Sequence, residues 1–110
     1  MTRTIRKVLA VAGACFLFAN AHAWDGVTSG VPGALEVTNG GNYGLRIYLA
    51  NQTSMCGSST PTWIYLEPTD SNYSTYLAVL LFAKAQGTPV TLYGIREANG
   101  FCRLGHMLAS

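Results

Sequence analysis

Alternating apolar and polar residues mark two short segments in the first half of the chain. Residues 35–38 and 45–49 both have this period of two, which is typical of strands with one buried face. Between them, residues 39–42 read Asn-Gly-Gly-Asn, and turns favour these residues because they tolerate positive φ. The two segments are predicted to form a β-hairpin, with Arg46 and Tyr48 on the polar face of its second strand.

Four further segments have the composition of strands, and one longer segment has that of a loop. The predicted strands are residues 24–30, 63–66, 90–95 and 101–108. Residues 51–62 are rich in Ser, Thr, Asn and Gly, so they are predicted to be a surface loop.

A helix is predicted over residues 70–86, where apolar residues recur at spacings of three and four. Asp70 or Ser71 is suited to be its N-cap, and Gly87 is suited to end it. The residues predicted to pack on the sheet are Tyr73, Tyr76, Leu77, Leu80, Leu81 and the stem of Lys84.

The second face of this helix is apolar as well. It carries Ala78, Val79, Phe82 and Ala85. A helix that is apolar on nearly all sides is usually buried on more than one side, and a small domain has little other protein with which to cover it. These four residues are therefore predicted to form an interface with another copy of the chain. The alternative is that the loop around Cys56 covers them.

The order of the elements predicts a mainly β fold with one helix, in the α+β class. It fits a small antiparallel Greek-key barrel of five or six strands, the oligonucleotide- and oligosaccharide-binding (OB) type, with the helix before the last two strands. An open antiparallel sheet with one helix packed across it fits the same order.

The first 23 residues are predicted to be a secretory signal peptide. They contain three basic residues, then an uncharged apolar run, then Ala-His-Ala, which is the pattern of an export signal with a cleavage site. Cleavage before Trp24 leaves residues 24–110 as a single mature domain, either secreted or periplasmic. No second apolar run is long enough to cross a membrane, so no span is expected after cleavage.

Removal of this segment changes the charge of the chain. The full sequence has seven basic and five acidic residues, and three of the basic ones lie in the signal. The mature chain therefore has four basic against five acidic residues, a formal charge of −1. Nucleic-acid binding is not expected, because it requires clustered basic residues to neutralise phosphates.

Two of the three cysteines remain in the mature chain. Cys15 leaves with the signal, and Cys56 and Cys102 are predicted to form a disulfide because exported proteins meet an oxidising environment. With His106 they supply too few ligands for zinc. Neither a metal site nor a cofactor is predicted.

The sequence offers little material for catalysis. His106 is the one histidine of the mature chain, and no Gly-x-Ser-x-Gly motif presents a nucleophile. Glu67 and Asp70 are interpreted as a solvated loop end and a helix cap rather than a catalytic pair. The protein is not expected to be an enzyme.

Six Tyr and two Trp among many hydroxyl and amide side chains favour ligand binding instead. An aromatic ring can stack on a sugar while its neighbours bond the sugar hydroxyls. Of the aromatic residues, Tyr43 is expected to be the most exposed, whereas Trp63, Tyr65 and Tyr76 are interpreted as core or sheet-face residues. The candidate ligand-binding residues are Trp24, Tyr43, Arg46, Asn72 and Tyr73, although Asn72 and Tyr73 could equally belong to a helix-capping segment.

The layout of the mature chain resembles the pentamer-forming B subunits of bacterial toxins, of the pertussis and subtilase-cytotoxin type. The resemblance rests on the short signal, the early hairpin, the single cysteine pair and one helix before Gly-Thr-Pro-Val-Thr-Leu-Tyr, and it is most local over residues 76–92. It implies a Greek-key barrel, a ring of five copies with helices lining the centre, and an outer surface that binds cell-surface glycans. The disulfide placement departs from that family and no glycan-contact motif is shared, so no binding residue is carried over.

Together these patterns predict an exported, non-catalytic, homo-oligomeric protein that binds a carbohydrate or another cell-surface ligand. A periplasmic inhibitor or accessory protein, which would contact another exported protein through residues 53–62, is the alternative.

Overall fold

The structure of the chain is a computed structural model, and it describes residues 23–51, 54–57 and 60–110. The predicted signal peptide lies outside the described residues except for Ala23. The described part of the chain contains these elements: β1 (Gly26–Gly30), β2 (Pro32–Val37), β3 (Leu45–Leu49), β4 (Trp63–Leu66), α1 (Tyr73–Gln86), β5 (Val90–Arg96) and β6 (Cys102–Ala109). The expectation of a mainly β fold with one helix is confirmed.

All six strands belong to one mixed sheet with the order β1-β5-β6-β4-β3-β2. The predicted hairpin is present, because β2 pairs antiparallel with β3 and places Glu36 opposite Arg46. β5 and β6 form a second antiparallel hairpin. The pairing is irregular between Pro32 and Leu35 in the first hairpin and between Tyr93 and Gly94 in the second. Such bulges increase the local twist of a strand.

The expectation of a purely antiparallel sheet is wrong at one ladder. β4 runs parallel to β6, with Ile64 opposite Cys102 and Tyr65 opposite Arg103. The reason is that β5, which follows α1, runs opposite to β4, and the turn between β5 and β6 reverses the chain once more, so that β6 runs in the direction of β4. β1 and β2 stand at the two ends of the strand order, and no ladder joins them among the described residues. The sheet is therefore not closed by pairing of its two end strands, and the predicted Greek-key barrel is not confirmed.

The hydrophobic core lies on one face of this sheet. Leu45, Ile47 and Leu49 of β3 are fully buried, whereas the alternate residues Arg46 and Tyr48 are only partly buried. The register continues this division into β4, because Ile47 lies opposite Ile64. Among the described residues, the buried core cluster comprises Leu45, Ile47, Leu49, Met55, Cys56, Ile64, Leu66, Leu80, Ala83, Val90, Leu92, Cys102 and Leu104.

The helix packs on the core with a stripe that differs from the predicted one. Leu80 and Ala83 are buried and Tyr73, Tyr76 and Leu77 pack partly against the core. Leu81 is 52% exposed, so its predicted packing on the sheet is wrong. Because successive helical residues are rotated by about 100°, a stripe that runs through Leu80 and Ala83 turns Leu81 toward solvent. Lys84 is exposed, and its Nζ donates a hydrogen bond to the Gly33 carbonyl at 2.6 Å.

The start of the helix also differs from the prediction. Asn72, in the left-handed conformation with φ of 63°, is the N-cap, and its side chain makes no capping hydrogen bond. Neither Asp70 nor Ser71 caps the helix, because the Asp70 carboxylate is held by the Glu67 amide and by Arg103. The predicted end is confirmed, since Gly87 has a φ of 69° and its amide bonds to the Lys84 carbonyl at 3.3 Å.

The second helix face is not covered by the described residues of the chain. Ala78, Phe82 and Ala85 are exposed and Val79 is partly exposed. Phe82 has 67% of its surface exposed. The alternative that the loop around Cys56 covers this face is therefore wrong.

The predicted disulfide between Cys56 and Cys102 is confirmed, with a Cα–Cα distance of 5.6 Å. Its loop is not a simple surface loop, because the described residues Met55, Cys56 and Thr60 are buried. Gly94 makes room for the crosslink: a Cβ atom on it would lie 2.9 Å from Ile64 Cδ1 and 3.0 Å from Cys56 Sγ. A core of this size gains much from such a bond.

Replacing both Cys56 and Cys102 by Ala is expected to lower the free energy of unfolding by about 4 kcal/mol, because the bond closes a loop over a sequence separation of 46. Urea unfolding of a protein comprising residues 24–110 at neutral pH measures this difference. Reduction of the wild type with a thiol should give a loss of similar size. A loss of less than about 1 kcal/mol would contradict the structural role assigned to the disulfide.

Candidate functional site

Aromatic and charged side chains collect on the face of the sheet opposite the core, here named the outer face. Arg46 and Tyr48 of β3 lie on this face because they alternate with the buried leucines and isoleucine. Their partners on β4 are Tyr65 and Trp63, respectively. Alternation and register therefore place all four side chains on one side of two neighbouring strands.

Two loops add further rings to this face. Tyr43 comes from the loop between β2 and β3, and Phe101 from the loop between β5 and β6. The Tyr43 ring lies 6.0 Å from that of Trp63, 4.9 Å from that of Tyr65 and 4.6 Å from that of Phe101. Trp63 and Phe101 lie 4.9 Å apart. We name these four residues, Tyr43, Trp63, Tyr65 and Phe101, the aromatic cluster.

Two guanidinium groups lie over the aromatic cluster. Arg46 is 4.9 Å from the centre of the Trp63 ring, and Arg103 is 5.5 Å from that of Tyr65. These are distances at which a cation is attracted to an aromatic face. Arg46 donates to Glu36 at 3.4 Å and to the Asn42 carbonyl at 3.2 Å. Its buried Nε has no hydrogen-bond partner among the described residues.

Arg103 is held by two carboxylates. Its Nη2 and Nε donate to the two oxygens of Asp70, the latter at 3.2 Å, and its Nη1 donates to Glu97 at 3.2 Å. Glu97 also accepts a hydrogen bond of 3.5 Å from the Tyr65 hydroxyl. Burial raises the pKa of Tyr65, against the lowering effects of Asn99 and Arg103, so this hydroxyl remains protonated and able to donate.

The pKa of Asp70 lies below its ordinary value. Burial opposes ionisation of this carboxyl, but hydrogen bonds from Arg103 and the Glu67 amide, with the charge of Arg103, together outweigh it. The hydrogen bond to Asp70, against the lowering effect of burial and with a further hydrogen bond to Glu97, raises the pKa of Arg103 above its ordinary value. The pair is therefore fully charged at neutral pH.

Glu67 also has a role that the sequence did not indicate. Its carboxylate accepts hydrogen bonds from three backbone amides of the loop 38–44, those of Gly41, Tyr43 and Gly44. Its interpretation as a solvated loop end is wrong.

The structure brings together two of the five candidate ligand-binding residues. Tyr43 and Arg46 both lie beside Trp63. Tyr43 is half-buried by its ring contacts rather than the most exposed aromatic residue. With a positive φ of 55°, Tyr43 forms part of the turn that connects β2 to β3.

The other three candidates lie elsewhere. Trp24 lies beside β5 and β6, with its ring 5.6 Å from that of Tyr93 and 6.1 Å from that of His106. Tyr73 packs partly against the core, and Asn72 lines a cleft of about 230 Å³ between the helix and the end of β6. The predicted capping role of Asn72 holds for the backbone and not for its side chain.

Five residues of the outer face are not among the candidate ligand-binding residues: Tyr48, Trp63, Tyr65, Phe101 and Arg103. The sequence does place Tyr48 on the polar face of its strand, and it indicates core or sheet-face positions for Trp63 and Tyr65. A signal for Trp63 was present, since burial of Ile64 and Leu66 in a strand requires Trp63 and Tyr65 to face the other way. Phe101 and Arg103 carried no such signal, because their partners are distant in the sequence.

The described residues contain neither a cluster suited to a metal ion nor a helix suited to span a membrane. No three His, Cys, Asp or Glu residues in ranges 23–51, 54–57 and 60–110 are placed to hold a metal ion. No helix of these ranges has the length and hydropathy to cross a membrane.

The chain matches no protein-family model, no curated protein and no solved structure. Function is therefore inferred from the geometry of the described residues.

Replacing Asp70 by Asn is expected to lower the free energy of unfolding at pH 7 by about 2 kcal/mol, because Arg103 then loses the less exposed of its two charged partners. A carboxyl with a lowered pKa stabilises the fold above its unfolded value of 3.8, and this contribution is lost as the pH falls through the folded value. The difference between wild type and Asp70→Asn should therefore shrink below about pH 4.

Chemical unfolding of both proteins between pH 2 and pH 7 measures this dependence. Glu36→Gln, which removes an exposed ion pair, serves as the control and should cost less than about 0.5 kcal/mol. A difference for Asp70→Asn that stays constant over the whole pH range would show that the ion pair does not carry the effect.

Proposed function

We propose that the mature chain is an exported, non-catalytic glycan-binding protein whose ligand lies on the outer face, against Trp63, Tyr43 and Arg46. The observation that carries the proposal is the meeting of four aromatic rings from β4 and two loops beside an arginine. Binding sites of this kind combine apolar rings with a few placed polar groups.

The chemistry of the outer face suits a sugar. The rings of Trp63 and Phe101 are partly exposed and can stack on the C–H face of a pyranose. Arg46, Glu36 and the Tyr48 hydroxyl surround Trp63 with donors and acceptors for sugar hydroxyls; Tyr48 donates to Glu36 at 2.9 Å. The carboxylates nearest these rings, Glu36 and Glu97, are engaged with Arg46 and Arg103, so binding without catalysis is the use proposed here.

The strand topology supports the OB-type barrel as part of this proposal. Val31 alone separates β1 from β2, so the two end strands of the sheet are two halves of one bent segment. Its first half pairs with β5 and its second half with β3. Because one continuous segment forms both ends of the strand order, a sheet that curls toward a barrel is the arrangement proposed here.

The position of the aromatic cluster agrees with this fold. In OB barrels the ligand surface comprises the face of strands 2 and 3, the loop between strands 1 and 2, and the loop between strands 4 and 5. If β1 and β2 are counted as one strand, these surfaces are the outer face of β3 and β4, the loop with Tyr43 and the loop before Phe101. The aromatic cluster occupies all three.

Self-association is a further part of the proposal. The exposed apolar face formed by Ala78, Val79, Phe82 and Ala85, together with exposed Leu81, is suited to contact a second copy. A ring of copies, with five as one possible number, is what the resemblance to toxin B subunits implies. The disulfide is consistent with an oxidising, exported location.

The alternative of an inhibitor that acts through residues 53–62 has less support. The described residues Met55, Cys56 and Thr60 of that loop are buried, and the disulfide holds them against the sheet.

Replacing Trp63 by Ala is expected to reduce glycan binding at least tenfold, because the ligand loses its main stacking surface. A glycan array probed with the mature wild type identifies ligands, and calorimetry with the strongest one measures the affinities. Trp24→Ala is the matched control and should bind as the wild type does.

Arg46→Gln should also weaken glycan binding. Because Arg46 is not part of the core, weaker binding by this variant would report a lost ligand contact rather than a lost fold. An array without signal for the wild type, or equal affinity for Trp63→Ala and Trp24→Ala, would refute the proposed site.

Replacing Phe82 by Glu is expected to convert an oligomer into a monomer, because the charge would be buried in an apolar interface. Light scattering at micromolar concentration gives the molar mass of each protein. Ala98→Glu, on an exposed position of the loop between β5 and β6 rather than on the helix, should leave the mass unchanged. A monomeric wild type would remove self-association from the proposal.

A further inference from the structure

The carboxylate of Glu67 binds the backbone of the loop that carries Tyr43. Oε1 accepts hydrogen bonds from the amides of Gly41 and Gly44, each at 3.1 Å, and Oε2 accepts one from the amide of Tyr43 at 3.3 Å. Three amides thus converge on one side chain from another part of the sheet.

The conformation of the loop explains why these amides need an external acceptor. Gly41 and Tyr43 both have positive φ, 82° and 55°, and such a turn directs successive amides into one concavity, where an anion is favoured. Two carbonyls of the loop already accept hydrogen bonds from other amides. The Gly44 carbonyl accepts from the Thr38 amide at 2.8 Å, and the Asn39 carbonyl accepts from the Asn42 amide at 3.1 Å. Without Glu67 the three amides would have to find water.

Glu67 is itself fixed at the end of β4. Its amide donates to Asp70 Oδ2 at 2.9 Å, and Asp70 in turn holds Arg103. Arg103 reaches Glu97, whose amide bonds to the Phe101 carbonyl at 2.9 Å. The two loops that supply Tyr43 and Phe101 are therefore linked through one series of hydrogen bonds. All but the last, between backbone groups of Glu97 and Phe101, are charge-assisted, and such bonds are stronger than neutral ones.

We propose that Glu67 is a positioning residue for the ligand site. It holds the loop 38–44 so that the Tyr43 ring stays against Trp63 and Phe101, and it does not itself contact the ligand. This role rests on the proposed function as far as affinity is concerned, whereas the placement of the loop can be tested without any ligand.

The variant Glu67→Gln tests the proposal because it keeps the size of the side chain and removes its charge. Its NH₂ group cannot accept a hydrogen bond, so at least one of the three amides loses its partner. Asp25→Asn is the matched control: Asp25 accepts a hydrogen bond of 2.7 Å from the Arg96 amide, outside the aromatic cluster.

The first measurement is amide hydrogen exchange of the free mature protein, followed by NMR. In Glu67→Gln at least one of the amides of Gly41, Tyr43 and Gly44 should exchange at least tenfold faster, while that of Arg96 is unchanged. In Asp25→Asn the Arg96 amide should exchange faster, while the amides of Gly41, Tyr43 and Gly44 are unchanged. Unchanged exchange of all three loop amides in Glu67→Gln would overturn the proposal.

The second measurement is the affinity for the strongest glycan found with the wild type. Glu67→Gln should bind about tenfold more weakly, and Asp25→Asn should bind as the wild type does. Faster loop exchange with an affinity within twofold of the wild type would overturn the positioning role while leaving the glycan site in place. If the wild type binds no glycan, the proposed function fails, and the exchange rates alone decide whether Glu67 positions the loop.

Discussion

The register between β3 and β4 is the constraint on which the rest of the structure depends. It places Ile47 opposite Ile64 on the core face and Arg46 opposite Tyr65 on the outer face. A shift of one residue would exchange the two faces, bury the arginine and expose the isoleucines. Core and candidate site are therefore specified by the same ladder, and neither can be changed without the other.

The disulfide and several carboxylate hydrogen bonds stabilise the core and the candidate site that this ladder defines. The disulfide attaches Met55 and Cys56 to the core, and Gly94 leaves room for its sulfur atoms. On the outer face, carboxylates perform the corresponding task, since Glu67 binds the Tyr43 loop and Asp70 binds Arg103. The core is closed by apolar contact and a covalent bond, whereas the loops of the candidate site are held by charged hydrogen bonds.

Local patterns predicted the elements of the fold well and their partners poorly. The period of two in residues 45–49, the turn residues before them and the stop at Gly87 are all local signals, and the structure bears them out. Asp70 was misread as a helix cap because its partner Arg103 lies 33 residues away. The parallel pairing of β4 with β6 is equally non-local. Tyr43 and Arg46 were identified from their neighbours in sequence, but Phe101 joins them through tertiary contact alone.

The most direct test of the outer face as the ligand surface uses the two tryptophan indole signals of the mature chain. A pool of free N-linked oligosaccharides is titrated into ¹⁵N-labelled protein and the shifts of both indoles are followed. The account predicts that the Trp63 indole and the Tyr43 amide shift while the Trp24 indole does not. A shift confined to Trp24, or to the helix residues beside the cleft, would contradict it.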